Sequence, residues 1–298
     1  MTLNSPYAVT YKGIYAIANE QNTLVELIEE SQCYGASAWA RYHISKGPLV
    51  VSSCSIGSTM CYLLNVEETD FELIGSKQAA GIKKVVINNN EIEITFSGLG
   101  GGGVGATVTR AHSPGVLSYD ITESGGGKKA HGTIVLPRRE RILIGIDDTD
   151  SKDAGATWAL AHNIAAELHS MDAAYISHTL VQLYPVEERT QNCVSTVIEF
   201  ACTTNQAANN LLKQFKQLLQ KYSVSSRTGM AAYTGFNPDA LANYSKKVRR
   251  EKVTKQDASE TAKKTNTQIY LDGNGIIGAI AAIPWYRQPD ESIKSFHL

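Results

Sequence analysis

Along residues 13–99 apolar positions alternate with polar ones in short runs rich in β-branched side chains. KGIYAIA, TLVELIE, PLVVSSCSI, TMCYLLNV, FELIGS, KKVVINN and EIEITFSG each read as a strand. Asn88 to Asn90, between the last two, predicts a hairpin turn. Within this stretch GASAWARYHIS, Gly35 to Ser45, predicts a short helix. Past residue 139 the pattern changes. RILIGIDD reads as a strand, and AGATWALAHNIAAELHSM as a helix with Trp158, Leu160, Ile164 and Leu168 among its apolar positions. AAYISHTLVQLYP and NCVSTVIEFAC are strands, and GMAAYTGF reads as a fourth. NQAANNLLKQFKQLLQKY is an amphipathic helix striped by Leu211, Leu212, Phe215, Leu218 and Leu219. The order β-α-β-β-α-β predicts a ferredoxin-like arrangement. NPDALANYSKKVRREKVTKQDASETAKKT then predicts a polar, basic helical segment with a solvated face, and DGNGIIGAIAAIPWY a glycine-punctuated apolar run. The expectation is an α+β chain of two domains, strand-rich over 1–138 and ferredoxin-like over 139–298. They join at PRRER, Pro137 to Arg141, where a proline and a charge run interrupt two apolar strands.

Composition narrows the classes. With 298 residues and 43% hydrophobic positions, either half can bury a core. Lys plus Arg number 28 against 29 Asp plus Glu, so no global basic field recruits nucleic acid or an anionic membrane. Cys33, Cys54, Cys61, Cys193 and Cys202 form no paired motif, which suits reduced thiols and disfavours a closed zinc site. Cys193 reads as a packing residue, and His162, His169 and His178 as structural or surface residues. MTLNSPYAVTYKGIYAIANE lacks the basic start and apolar core of a signal peptide, and no apolar run reaches membrane-spanning length. A cytoplasmic protein without a membrane partner is expected.

The most informative stretch is ILIGIDDTDSKDAGATWAL. Asp147, Asp148 and Asp150 crowd the end of an apolar strand. Carboxylates there are placed to meet a ligand, and their mutual repulsion is relieved by a cation. Mg²⁺, held by one or two carboxylates plus substrate phosphates, answers that need. Gly155, Ala156 and Thr157 fall near a helix start, which favours phosphate. Together these features suit ATP. The competing reading is local: Asp150 or Ser151 caps the helix, and Asp148 opens an Asx-turn.

Gly145-Ile146-Asp147-Asp148-Thr149-Asp150-Ser151, with Thr157 and Leu160-Ala161, resembles the start of the kinase-like domain of archaeal tRNA(Ile) agmatidine synthases. Leu183-Tyr184-Pro185-Val186 with Thr190-Gln191-Asn192 resembles a second motif, and Gly273-Asn274-Gly275 with Ile277-Gly278-Ala279 a third. The whole chain resembles methanogenesis marker protein 11, a family of methanogenic archaea. The resemblance implies that Asp147, Asp148 and Asp150 hold Mg²⁺ and phosphate oxygens, with Thr157 near the transferred phosphoryl group. Thr149, Ser151, Gly155, Asn192 and Asn274 are the further candidate nucleotide contacts. Gln191 stands where the related family tends to show glycine. The paired cysteines of the family's zinc ribbon are missing, so tRNA is not carried over, and nucleic acid is expected to be an unlikely partner.

GLGGGGVGATVTR and ESGGGKKAHGTIVLP are glycine clusters. Gly100, Gly102 and Gly105 satisfy GxGxxG, yet no βαβ unit follows and no GK[ST] is present, so NAD binding and a Walker loop are disfavoured. Gly102, Gly103, Gly105 and Lys128 are candidate phosphate contacts. The alternative is a flexible loop or a tight contact that tolerates no side chain. The clusters are expected to approach Asp147 to Ser151 between the halves. Arg138, Arg139 and Arg141 read either as facing a polyphosphate or as a surface linker.

The expected activity is phosphoryl transfer from ATP to a substrate oxygen, on a small-molecule or protein substrate, in the maturation of a methanogenic enzyme or cofactor. A non-enzymatic assembly factor and an RNA-modifying enzyme are the alternatives. Formation of a homo-oligomer is compatible with each.

Overall fold

The computed structural model describes residues 6–295; the first five residues, part of the signal-peptide reading, and the last three lie outside the described residues. The chain is α+β and forms two compact units, Met1–Arg139 and Glu140–Leu298. Among the described residues no helix is long and apolar enough to cross a membrane.

In the first unit β1 (Gly13–Ala18), β2 (Leu24–Glu30), β3 (Val50–Ile56) and β4 (Thr59–Asn65) pair antiparallel in the order β1-β2-β4-β3. Helix α1 (Tyr34–Ile44) lies between β2 and β3 in sequence. β5 (Ala80–Asn88) and β6 (Glu91–Leu99) form the expected hairpin, with Asn89 at φ 54° in its turn. After α2 (Gly101–Val104), a wider turn over Gly105–Thr109 and β7 (Ser118–Ile121), the chain enters β8 (Lys129–Asp147). The first part of β8 pairs with β6 and β7. Ile14, Leu27, Tyr62, Ile82, Phe96 and Ile134 share one core, joined by Ala40 and Ile44 of α1.

Two expectations fail here. FELIGS carries only an isolated bridge, Ile74 to Gln78. Phe71 instead lies across Gly81 of β5, where a Cβ would fall 2.3 Å from its ring, and Ile74 is exposed. PRRER does not break the strand: β8 runs through Pro137, which pairs with Glu91, the first residue of β6. The missing N–H therefore falls at the end of that ladder, where it is tolerated.

In the second unit the rest of β8 is central. β10 (Val194–Cys202) and β11 (Gly229–Thr234) flank it, preceded in the chain by α3 (Thr157–Leu168), β9 (Ala173–Gln182) and α4 (Asn205–Tyr222). Beyond come α5 (Ala242–Val248), α6 (Lys255–Lys264), β12 (Gln268–Asp272), α7 (Ile276–Ala282) and α8 (Pro289–Ser292). The order across the sheet is β12-β11-β8-β10-β9, every neighbour antiparallel. Side chains of β8 alternate between faces. Ile142, Ile144 and Ile146 pack with Ala161 and Ile164 of α3 and Leu212 and Phe215 of α4. Leu143 packs on the other face with Tyr244, Ala258, Ile276 and Ala279. Gly145 lets α7 lie directly on the strand, since a Cβ there would sit 1.9 Å from the Ala279 carbonyl oxygen.

The basic segment is not one solvated helix. It splits into α5 and α6, and Tyr244, Ser245, Val248 and Arg249 are buried. The Arg249 guanidinium donates to the carbonyls of Gln182 (3.0 Å), Glu291 (2.9 Å), Ser292 (3.0 Å) and Lys294 (2.7 Å). Arg139 and Arg141 are buried as well, so they are not a surface linker. Arg141 Nε lies 2.9 Å from Glu199 Oε1, and Arg287 Nη2 lies 3.0 Å from the same oxygen. Burial alone would raise the Glu199 pKa, but Arg287 and Arg141 outweigh it and hold the carboxyl below its usual range.

Candidate functional site

The apolar strand β8 ends at Asp147, on the same face as Leu143 and Gly145 by strand alternation. That face opens into a cavity of about 520 Å³, within the range of small-molecule sites. Asp147, Asp148, Asn192 and Asn274 line it. Apolar wall is supplied by Leu183, Val186, Val248, Val253 and Ile277, and positive charge by Arg189, Arg227, Lys252 and Lys255. Among the described residues every lining group belongs to the second unit.

Asp147 Oδ1 accepts the Asp148 N–H at 2.8 Å. Its other oxygen faces Gly278 of α7, where a Cβ would fall 1.9 Å from Oδ2. The glycine therefore leaves room for the carboxylate. Burial, and then the charge of Asp148, push the Asp147 pKa well above the usual carboxylate range. Asp148 adopts φ 54°, a left-handed conformation that Asp tolerates better than most residues. Burial raises its pKa too, partly offset by Arg227, whose Nη2 stands 3.4 Å from Oδ2. A cation would relieve both carboxyls, so Asp147 and Asp148 fit a divalent metal that takes its remaining ligands from phosphate and water.

Asp150 is turned elsewhere. Its Oδ1 accepts the Thr190 hydroxyl at 2.7 Å. Among the described residues no group of three His, Cys, Asp or Glu side chains is set to hold a metal ion. Of the three expected carboxylates, Asp147 and Asp148 line the cavity, while Asp150 has one oxygen bonded to Thr190 and does not line it. Thr149 and Thr157 bond to one another: the Thr149 N–H and hydroxyl reach Thr157 Oγ1 at 3.2 and 3.1 Å. Gln191 donates to the carbonyls of Ser151 (2.9 Å) and Gly155 (3.1 Å). Gly155 takes φ 86°, and a Cβ there would approach Asp150 Cβ at 3.0 Å. Neither Asp150 nor Ser151 caps α3; its cap is Ala156, without a side-chain bond. The loop 149–157 and Thr190-Gln191 thus form a bonded frame beside the cavity, and none of 149–157 lines it.

The glycine clusters line two cavities of the first unit. Gly102 and Gly105 belong to one of about 310 Å³ with Tyr11, Trp39 and Arg110. Lys128 lines another with Gly100 and Gly126, and pairs with Glu123 at 2.7 Å. Gly102 and Gly103 are buried by close packing: a Cβ at Gly102 would fall 2.5 Å from the Ala79 carbonyl oxygen, and one at Gly103 would fall 3.1 Å from Ala130 Cβ. Of the two readings of these glycines, the tight contact accounts for the buried pair. Cys193 lines the aspartate cavity, but burial pushes its thiol pKa up, so it is no activated nucleophile.

Sequence reasoning missed Arg227, Lys252 and Lys255. Arg227 is a lone basic residue in a loop, 79 positions from Asp148. The two lysines were hidden in the segment read as a solvated face.

Residues 143–273 match the family model of the TiaS TCKD domain. The uncharacterized protein MJ0921 of Methanocaldococcus jannaschii is 38% identical over 283 residues, covering 93% of this chain and 94% of that protein. The tRNA 2-agmatinylcytidine synthetase TiaS of Pyrococcus horikoshii, named for an isoleucine tRNA, is 31% identical over 148 residues, which cover 48% of this chain and 35% of TiaS. The crystal structure of TiaS in complex with that isoleucine tRNA and ATP aligns with a TM-score of 0.44 at 20% identity, over 49% of this chain and 36% of that one. The match to that synthetase overturns the expectation that nucleic acid is an unlikely partner. The Pyrococcus horikoshii relative is, by name, a synthetase that acts on a tRNA.

Proposed function

This chain belongs to the family of the uncharacterized Methanocaldococcus jannaschii protein MJ0921, and we propose that it is an ATP- and Mg²⁺-dependent enzyme that activates a substrate oxygen by phosphoryl transfer. One observation carries the reading: Asp147 and Asp148 face a cavity of about 520 Å³ whose wall carries Arg189 and Arg227, together with Lys252 and Lys255, which pair with Glu188 and Asp272. Paired carboxylates for a metal and cations for a polyphosphate are what phosphoryl transfer asks of a protein, since its catalysis is positioning and charge neutralisation. The match to the TiaS TCKD domain over 143–273 supports it.

In this reading Asp147 and Asp148 hold the metal, and Gly278 leaves the space Asp147 needs. Bound Mg²⁺ supplies neutralisation of phosphate charge. Asn192 and Asn274 bond the nucleotide, and Lys252 and Arg227 pair its phosphates. Asp150, through Thr190, and Thr149, through Thr157, fix the loop that carries the carboxylates; Ser151 and Gly155 are held in it by Gln191. The second unit is read as ferredoxin-like with an added strand, a reading its order β11-β8-β10-β9 and the helices α3 and α4 support. The setting in methanogenesis rests on motif resemblance alone.

A nucleic-acid acceptor is the second reading, favoured because the Pyrococcus horikoshii relative, which shares 148 residues with this chain, carries a tRNA in its name. Titration calorimetry with ATP and Mg²⁺, followed by turnover assays, tests both. Saturable, metal-dependent binding supports the enzyme, and turnover that appears only with tRNA present selects the second reading. Silence under every condition leaves an assembly factor.

A further inference from the structure

We propose that Arg227 makes metal capture at this site conditional on the nucleotide, by occupying the cation position beside Asp148 until a triphosphate draws it away. The proposal rests on the ATP and Mg²⁺ reading and deepens it.

The backbone of Arg227 is pinned. Its carbonyl accepts the Gly275 N–H at 2.9 Å, and its N–H donates to Ser225 Oγ at 3.1 Å. Gly273 is bare because a Cβ there would fall 2.1 Å from that same carbonyl oxygen. Next to it, the Thr228 hydroxyl donates to the Asp148 carbonyl at 3.2 Å. The Asp148 and Arg227 backbones are therefore held in register while the guanidinium stays on a long side chain, 35% exposed.

Its grip on Asp148 is loose. Nη2 stands 3.4 Å from Oδ2 and 3.5 Å from Oδ1, against about 2.7–2.9 Å for a well-formed charged pair. The buried Arg–carboxylate pairs elsewhere in the chain are tight: Arg110 meets Glu29 at 2.5 and 2.9 Å, and Arg141 meets Glu199 at 2.9 Å. Those two build the fold. Arg227 instead lines the cavity and neutralises a carboxylate from the open side.

A guanidinium and a divalent cation beside one carboxylate repel each other, so Arg227 disfavours the metal alone. A polyphosphate offers the planar fork a better bidentate partner. Once Arg227 turns to it, Asp148 is released to the metal that accompanies the phosphates. Metal and nucleotide then bind together better than either binds alone.

The test uses the full chain, with Mn²⁺ as the metal probe, read by electron paramagnetic resonance, and ATP in excess EDTA, read by calorimetry. For Arg227→Gln, Mn²⁺ alone should bind roughly tenfold more tightly and metal-free ATP roughly tenfold more weakly. Arg227→Lys, which keeps the charge but not the fork, should leave Mn²⁺ affinity low and restore ATP only in part. If wild-type protein binds Mn²⁺ with ATP but Arg227→Gln takes up Mn²⁺ no better, this proposal is overturned and the nucleotide reading stands. If both affinities fall together in a variant that melts early, Arg227 is a structural residue and the proposal is again overturned. If wild-type protein binds no Mn²⁺ with ATP, the nucleotide reading fails and takes this proposal with it.

Discussion

Gly278→Ala separates the work of the site from the stability of the fold. A methyl at this position of α7 would lie 1.9 Å from Asp147 Oδ2, 2.9 Å from its Cγ and 2.8 Å from Leu183 Cδ1. Ordinary contact begins near about 3.5 Å, so the carboxylate must retreat by more than about 1 Å. The obstacle is the end of a side chain, and rotation of Asp147 relieves it. Gly→Ala in a compatible helix stabilises by about 0.4–1 kcal/mol. Forcing a side chain off its rotamer costs about 0.5–1.5 kcal/mol, so the two effects nearly cancel and the melting temperature should barely move. Binding has no such compensation. A displacement of that size at a ligating carboxylate should weaken Mg²⁺·ATP binding at least roughly tenfold, in line with the large effects of small misplacements. Gly145→Ala is the control, because its methyl would lie 1.9 Å from the Ala279 backbone oxygen, which no rotation can clear. That variant should lose roughly 1–3 kcal/mol or more of stability. Melting curves and calorimetry on both decide the matter. Wild-type nucleotide affinity in Gly278→Ala refutes the reasoning, and so does an early melt like that of Gly145→Ala.

Glu199→Gln should destabilise the second unit by roughly 3–5 kcal/mol in urea unfolding, because Arg141 and Arg287 would lose their buried anion; a loss below about 1 kcal/mol contradicts this. His178 has its pKa pushed down to about 4, by burial and then by His162. The unfolded chain therefore binds more protons than the folded one between the ordinary histidine range and pH 4. Stability is complete above about pH 6.5 and declines as pH falls through that window, by on the order of 3 kcal/mol at most. His178→Gln should flatten the pH dependence of the melting temperature there; parallel curves for the two proteins would show that another group governs it.

The aspartate end of β8 was legible because its residue type conflicts with its place: an apolar strand seldom ends in so much negative charge without a partner. The amphipathic helix α4 was legible because its stripe follows the helical period. Arg227 carried no such mark. Its meaning comes from Asp148, which lies far off in the chain and meets it only once β8 and β11 pair. Lys252 and Lys255 looked like part of a solvated face, since the burial of Arg249 that breaks the segment depends on carbonyls more than forty residues away. Proline and charge normally end a strand, which hid the passage of β8 through Pro137 and its arginines. Their tolerance within β8 depends on where β6 begins and on Glu199 in β10, which local patterning does not reveal. The glycine clusters invited a phosphate loop, whereas the backbone atom that excludes a Cβ at Gly102 is the carbonyl oxygen of Ala79, just before β5, which local patterning does not bring to it.

The central claim is that the carboxylates ending β8 exist to hold a metal-bound nucleotide. It is tested most directly by titrating wild-type protein and Asp147→Asn with ATP in the presence and absence of Mg²⁺. The account predicts saturable binding by wild-type protein that weakens sharply, without vanishing, when the metal is withheld, and whose metal-dependent gain is lost in a folded Asp147→Asn. Equal heats for both proteins, with or without Mg²⁺, would contradict it.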